Sequence, residues 1–180
     1  MPDQLRISPR DARAIFDYNR AVFDRFVRRV RKLRLKEAMR QRGIGHESLF
    51  NTLVHILNVH EVWLVYIVHG RNSDKVLEPL FDDVRRHPTT WSGFDQYSAR
   101  VWAGVDLTLR DLSPRMLGRP VKAFWMSGRY TVRDALIQTT MEEAHHLGEI
   151  IGALWQDDAK PPEMTWIDTR RRATPRRRRT

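Results

Sequence analysis

The chain has 180 residues, of which 41% are hydrophobic and 30% charged, and its formal net charge is +10 at pH 7. This composition is typical of one soluble globular domain with a sizeable core and excludes a disordered chain. The longest apolar run, Val62–Val68, is much shorter than the roughly 20 residues that span a bilayer, and the N-terminus shows no secretory signal. We expect a cytoplasmic protein without membrane contact. The lack of cysteine excludes disulfides, zinc–thiolate sites and a cysteine nucleophile.

The positive charge is concentrated at the C-terminus. Seven arginines and no acidic residue lie within residues 170–180, so the preceding chain carries only about +3. Because this segment contains Pro175 and has no apolar period, we predict a single domain over residues 1–160 and a disordered basic tail over residues 161–180. Two interpretations of the tail stay open: it improves solubility, or it makes weak, salt-dependent contacts with nucleic-acid phosphates.

The first two helices begin at recognisable N-caps. Ser8, Pro9 and Asp11 give the first helix a serine cap, a proline at its first position and a carboxylate in its first turn. Apolar residues then recur every three or four positions, up to Leu33. The second helix is predicted to start near Glu47 or Ser48 and to end at Gly70; it is apolar over most of its surface and should be central.

The remainder of the chain predicts two more helices. Residues 71–90 show no sustained period and are predicted to be a functional loop or a bundle crossover. The third helix covers about 92–112, and residues 121–125 allow a short strand before a turn at 127–128. Thr131 and Asp134 then form a capping-box pattern at the start of the fourth helix. The prediction is an all-α four-helix bundle with long inter-helix loops and a short strand or hairpin before the last helix.

The last helix carries carboxylates and imidazoles within an apolar segment. Glu142 and His146 are four residues apart and therefore project from one helix face. That spacing suits two ligands of one divalent metal ion, and a third ligand must come from a neighbouring helix. His55, in the middle of the most apolar helix, is the best candidate, although a hydrogen-bonded core histidine is the alternative. The predicted metal ligands are therefore His55, Glu142 and His146.

A ferritin-like di-iron centre is a second interpretation of the same residues. It needs the Glu-x-x-His motif on two helices. Only the last helix has that motif, and no other histidine in the chain has a glutamate three positions before it. A di-iron site is therefore not expected.

Three segments resemble the DinB family of four-helix bundles, which includes thiol-dependent S-transferases. They are Tyr18-Asn19, the His55-x7-Trp63 segment and the Glu142-x3-His146-x-Gly148 motif. The resemblance covers roughly residues 10–156. It implies a divalent ion (Zn, Ni, Mn or Fe) with three protein ligands and an open position. Many members have histidine where Glu142 stands, and an acid is frequent where His60 stands.

The resemblance also implies a function. An ion with an open position lowers the pKa of a bound water or thiol, so we expect a metal-dependent thiol S-transferase or hydrolase. The expected partners are a small-molecule substrate and a low-molecular-weight thiol, and a homodimer is plausible. Glu149 shares the face of His146 and is a candidate proton carrier, fourth ligand or outer partner. The alternatives are a basic nucleic-acid-associated protein, suggested by the tail and by arginines of the first helix, and a bundle with a purely structural metal.

Overall fold

The first helix begins as its cap predicts. The computed structural model describes residues 7–82 and 88–166. Helix α1 spans Pro9–Val30, and Ser8 and Asp11 form a reciprocal capping box at its start. Phe16, Phe23 and Phe26 are buried on its inner face. The helix ends at Val30, so Leu33, the last apolar residue of the predicted pattern, lies outside it. A short helix, α2, follows at Leu35–Ala38.

The second long helix is the central element of the bundle. Helix α3 spans Leu49–His60, and Ser48 caps it by accepting a hydrogen bond from the backbone N–H of Asn51. The chain continues as a π-helical turn at Glu61–Tyr66 and a 3₁₀ turn at Ile67–His69. Gly70 ends the segment with a φ of 75°, which confirms the predicted glycine cap.

Helix α3 and its continuation lie inside the protein. The stretch 49–69 is long and apolar enough to cross a membrane by length and composition, yet 72% of its most apolar window is buried within the fold. It packs against α1 and against two later long helices. Its all-round hydrophobicity therefore reflects burial on every side, as is typical of a core helix.

The segment after Gly70 contains a helix that the sequence pattern did not indicate. Helix α4 spans Asp74–Asp82 with Pro79 inside it. Leu77 and Leu80 are buried, and the Leu80 carbonyl accepts a hydrogen bond from Nδ2 of Asn58. Residues 71–90 were predicted to be a functional loop or a bundle crossover, and the structure adds a helix within this connection. A proline in a helix normally weakens it, but burial of the two leucines compensates.

The remaining elements follow the predicted order. Helix α5 spans Trp91–Asp111 and helix α6 spans Pro114–Leu117. Strands β1 (Pro120–Val121) and β2 (Tyr130–Thr131) pair antiparallel, which gives the hairpin before the last helix. Helix α7 spans Val132–Gln156 and starts at a Thr131–Asp134 capping box. The long helices α1, α3, α5 and α7 form the bundle, so the predicted fold class is confirmed.

The chain after α7 returns to the first helix. The Tyr18 hydroxyl donates a 3.0 Å hydrogen bond to the Met164 carbonyl, and the Trp166 ring packs edge-on against the Tyr18 ring. The described chain thus contacts α1 beyond residue 160, the predicted domain boundary. Most of the predicted basic tail, residues 167–180, lies outside the described residues.

A cluster of ion pairs ties the end of α7 to the loop after α2. Asp157 accepts hydrogen bonds from Arg40 and Arg42, and the buried Arg42 side chain also pairs with Glu37. Burial acts to raise the pKa of Asp157, but the hydrogen bonds from the two arginines outweigh it and hold the pKa below its ordinary value of 3.8. The cluster fixes the loop that leads into helix α3.

Replacing Asp157 with Asn should lower the free energy of unfolding near pH 7 by about 1 kcal/mol, a small value because solvent reaches the carboxylate. A depressed folded-state pKa contributes stability above the unfolded-state pKa and loses it as pH falls through the folded value. The difference between the two proteins should therefore shrink below about pH 4. Urea unfolding at several pH values measures it. A difference that persists unchanged at low pH would contradict the ionic origin.

Candidate metal centre

Three imidazoles from separate parts of the chain meet at one end of the bundle. They belong to His46 in the loop before α3, His55 in α3 and His146 in α7. One nitrogen from each ring can be chosen so that all three lie within 4.8 Å of one another. The His46 and His55 rings stack at 3.5 Å between centroids, and the His146 ring meets them edge-on. Three imidazoles suit zinc, nickel or iron, whereas manganese prefers oxygen ligands.

A tight turn brings His46 to this position. Gly43 and Glu47 both adopt a φ of 64°, and the backbone N–H of Glu47 donates a 2.7 Å hydrogen bond to the Ile44 carbonyl. For Glu47 this left-handed conformation is unfavourable, and such strain is often found at functional sites. The turn folds the loop back, so that His46 faces His55 from outside the helix.

Glu149 joins this loop to the last helix. Its Oε2 lies 2.8 Å from Nδ1 of His146, and its Oε1 accepts a 3.3 Å hydrogen bond from the backbone N–H of Gly45. Burial acts to raise the pKa of Glu149, but the His146 hydrogen bond and charge, with the Gly45 N–H, hold the pKa below its ordinary value. This contact orients the His146 ring and leaves its Nε2 for coordination, an arrangement expected of an outer partner of a metal ligand. The role of Glu149 as a proton carrier stays a prediction.

Glu142 is close to His146 but apart from the other two imidazoles. Its Oε2 lies 3.5 Å from Nε2 of His146, and its Oε1 accepts a 2.6 Å hydrogen bond from Nε2 of Gln138. Two donors about 2.1 Å from one tetrahedral ion lie about 3.4 Å apart, so the first distance suits a shared ion. The set of ligand atoms that all lie within 4.8 Å of one another contains nitrogens of His46, His55 and His146 but no oxygen of Glu142. The structure thus brings together His55 and His146, with Glu142 beside His146.

Sequence reasoning missed His46. It lies in a loop and has no helical spacing to another ligand, so periodicity gives no signal. The available signal was weaker: two glycines, Gly43 and Gly45, just before a histidine and a helix cap. A Cβ on Gly45 would lie 2.7 Å from Oε1 of Glu149, which explains why glycine is needed where this loop approaches α7.

A cavity of about 600 Å³ opens beside the imidazoles. His46 and His55 line it, together with Asn51 and Asn58 of α3, the two residues that the sequence places within a turn of His55. The volume is in the range of small-molecule sites. A ligand in this cavity would lie directly against the imidazole cluster.

A second set of candidate donors overlaps the first. His145, His146 and Glu149 also lie within 4.8 Å of one another. The His145 side chain is 67% exposed, and its Nε2 lies 3.7 Å from Oε1 of Glu149. Because Glu149 already engages Nδ1 of His146, the three-imidazole cluster is the better candidate site. His145 then serves as an exposed control residue.

A buried acid–base pair involves Glu143, which projects about 100° around α7 from Glu142. Nε2 of His60 is 3.2 Å from Oε2 of Glu143, and both side chains are almost fully buried. Nδ1 of His60 faces the Ile56 carbonyl at 2.9 Å and therefore carries a proton. Nε2 faces the Glu143 carboxyl group, so the two buried side chains depend on each other for a polar partner.

Several arginines of α1 have partners within the protein. Arg31 pairs with Asp95, while Arg25 and Arg29 donate to the Glu163 and Lys160 carbonyls. Arg20 likewise pairs with Asp106. These contacts give the arginines a structural role, and they weaken the argument that the helix is a nucleic-acid-binding surface.

The fold and the imidazole cluster together define a helical-bundle protein with a candidate metal centre between α3, α7 and the loop before α3. The family model described as the DinB superfamily matches residues 15–150. The chain therefore belongs to the DinB superfamily, which confirms the resemblance of its three motifs. No curated protein matches the sequence.

Replacing Gly45 with Ala should weaken metal binding. The new Cβ would displace the Glu149 carboxylate and loosen the His146 ring, so we expect the affinity for Zn²⁺ to fall about 10- to 100-fold, as for loss of an outer partner. Gly152→Ala is the matched control, because a Cβ at Gly152 meets no atom within 4 Å. Competition with a chromophoric chelator measures both. Equal affinities for the two variants would contradict the role of Gly45.

Proposed function

We propose that this protein is a metal-dependent enzyme of the thiol S-transferase or hydrolase type, in which a divalent ion is held by His46, His55 and His146. The observation that carries the proposal is the meeting of three imidazole nitrogens within 4.8 Å beside a cavity of about 600 Å³. Such an ion, when bound with an open position, lowers the pKa of a water or thiol and makes it nucleophilic near neutral pH.

The surrounding residues support this chemistry. Glu149 holds the His146 ring by a hydrogen bond, and its lowered pKa keeps it ionised at neutral pH. Asn51 and Asn58 provide polar groups in the cavity wall, suited to orienting a substrate. In an S-transfer the thiol loses its proton, sulfur bonds to an electrophilic carbon, and the leaving group departs with its electron pair. Because the chain has no cysteine, the sulfur must come from a cosubstrate.

A purely structural ion is the competing interpretation. It would require a closed shell of four protein donors, whereas a catalytic site keeps one position for water or substrate. The cavity against His46 and His55 favours the open arrangement. A homodimer and a cytoplasmic location stay predictions.

Elemental analysis of the native protein tests the metal. We expect about one equivalent of a divalent metal, lost in the His55→Ala/His146→Ala double variant and retained in the exposed-site control His145→Ala. Unchanged metal content in the double variant would overturn the proposal. Consumption of low-molecular-weight thiols in the presence of electrophiles, with and without a chelator, then tests turnover. Metal without chelator-sensitive turnover of thiol or ester substrates would leave the structural interpretation as the correct one.

A further inference from the structure

A second cavity, of about 450 Å³, lies between the π-helical turn, the hairpin and the first turns of α7. Its wall is formed by Trp63 of the π-helical turn, Trp125 and Tyr130 of the hairpin, and Asp134 and Gln138 of α7. It shares no lining residue with the cavity beside the imidazoles. Gln138, however, donates a hydrogen bond to Glu142, so the second cavity adjoins the candidate metal centre. The proposed function assigns no role to this cavity.

Aromatic rings form a corner in this cavity. The Trp63 and Trp125 rings are perpendicular, with centroids 6.3 Å apart. Tyr130 adds a third ring, and both Tyr130 and Trp125 are about two-fifths exposed. Large aromatic side chains that stay accessible around a cavity mark a ligand site more often than a core. The cavity is therefore lined by aromatic surface from two parts of the fold, the π-helical turn and the hairpin.

The charge of the residues that line the cavity indicates which class of ligand it favours. Among the described residues that line the cavity, Asp134 is the one charged side chain, in a chain whose formal charge is +10. Its Oδ2 accepts both hydrogen bonds of the Thr131 cap, so Oδ1 is the oxygen available to a ligand. Aromatic faces carry the negative part of the ring quadrupole and attract cations. A small hydrated metal ion is disfavoured by the apolar walls, whereas an organic cation suits both the rings and the carboxylate.

We propose that the cavity lined by Trp63, Trp125, Tyr130 and Asp134 binds a small organic cation with a methylated ammonium group. The ammonium lies against the indole rings with the Asp134 carboxylate as its counter-charge, and the Gln138 amide is in reach of a polar group on the same ligand. Binding does not require the metal, because none of these residues belongs to the imidazole cluster.

The proposal is tested by titrating the chelator-treated full-length protein with choline and with tetramethylammonium. Binding is measured by tryptophan fluorescence and by calorimetry. The neutral isostere of choline, 3,3-dimethylbutan-1-ol, is the ligand control. We expect saturable binding of the cations, at least about tenfold tighter than that of the isostere. Trp125→Leu and Asp134→Asn should each weaken cation binding about tenfold. Trp155→Leu should change it less than about twofold, because Trp155 is 59% exposed and is not among the residues that line the cavity.

Three results would overturn the proposal. Equal affinities for choline and its isostere would mean that the cavity recognises only apolar bulk. Absence of saturable binding for both cations would mean that it is not a cation site. A self-associating protein that dissociates in Trp125→Leu would mean that a second copy of the chain covers these rings. Because the metal is removed beforehand, none of these results depends on whether the proposed metal-dependent activity is correct.

Discussion

Replacing His60 with Leu should lower the free energy of unfolding by about 3–5 kcal/mol, the largest stability effect that we expect from one substitution outside the apolar core. His60 and Glu143 are 0% and 2% exposed and face each other at 3.2 Å. Removing the imidazole leaves a buried carboxylate without its partner, and breaking a buried pair costs about this much. Neither oxygen of Glu143 has a hydrogen-bond partner of good geometry among the described residues, so no other group compensates.

The double variant His60→Leu/Glu143→Leu separates the pair from the packing. Replacing a buried ion pair with apolar residues of similar size is frequently neutral or stabilising, so most of the loss should be recovered. Urea unfolding of metal-free protein measures all variants, and the exposed His145→Leu is the control, with an expected change within about 0.5 kcal/mol. A cost below about 1 kcal/mol for His60→Leu would contradict the assignment of a buried, mutually dependent pair. The double variant remains measurable if the single variant fails to fold.

The second large effect concerns the third ligand of the candidate metal centre. Loss of a residue that only supports a metal ligand lowers metal affinity about 10- to 100-fold. His46→Ala removes a ligand itself, so we expect the affinity for Zn²⁺ to fall by more than that. Glu142→Gln should cost less, because Glu142 is one-third exposed, bonded to Gln138 and outside the group of three imidazoles. The comparison separates the histidine set seen in the structure from the set predicted by sequence, in which Glu142 is the third ligand.

Titration of the two variants against a chelator of known affinity decides between these sets. His145→Ala, which removes an exposed imidazole next to the site, should bind Zn²⁺ as the native protein does. A larger loss in Glu142→Gln than in His46→Ala would support the set His55, Glu142 and His146 and exclude His46 as a ligand. A similar loss in His145→Ala would instead favour the overlapping group around Glu149.

Local signals explain why most of the fold was predictable. Ser8 with Asp11, and Thr131 with Asp134, are capping boxes that fix where α1 and α7 begin, and Gly70 ends the α3 segment. Each acts within a few residues of itself, so each can be read without knowing the rest of the chain. Helix α4 was missed because Pro79 disfavours a helix locally, while the burial of Leu77 and Leu80 that outweighs it depends on distant residues.

The candidate site likewise has a part that local sequence patterns predict and a part that depends on tertiary packing. The sequence by itself determined that Glu142 and His146 share one helix face and that His55 lies in the most buried helix, because helical spacing fixes relative direction along one element. Only the tertiary structure decided that His46 joins them. Its position depends on a turn whose glycine approaches Glu149, about one hundred residues away in the chain. The partnership of His60 with Glu143 likewise depends on how α3 packs against α7, which no spacing within either helix determines.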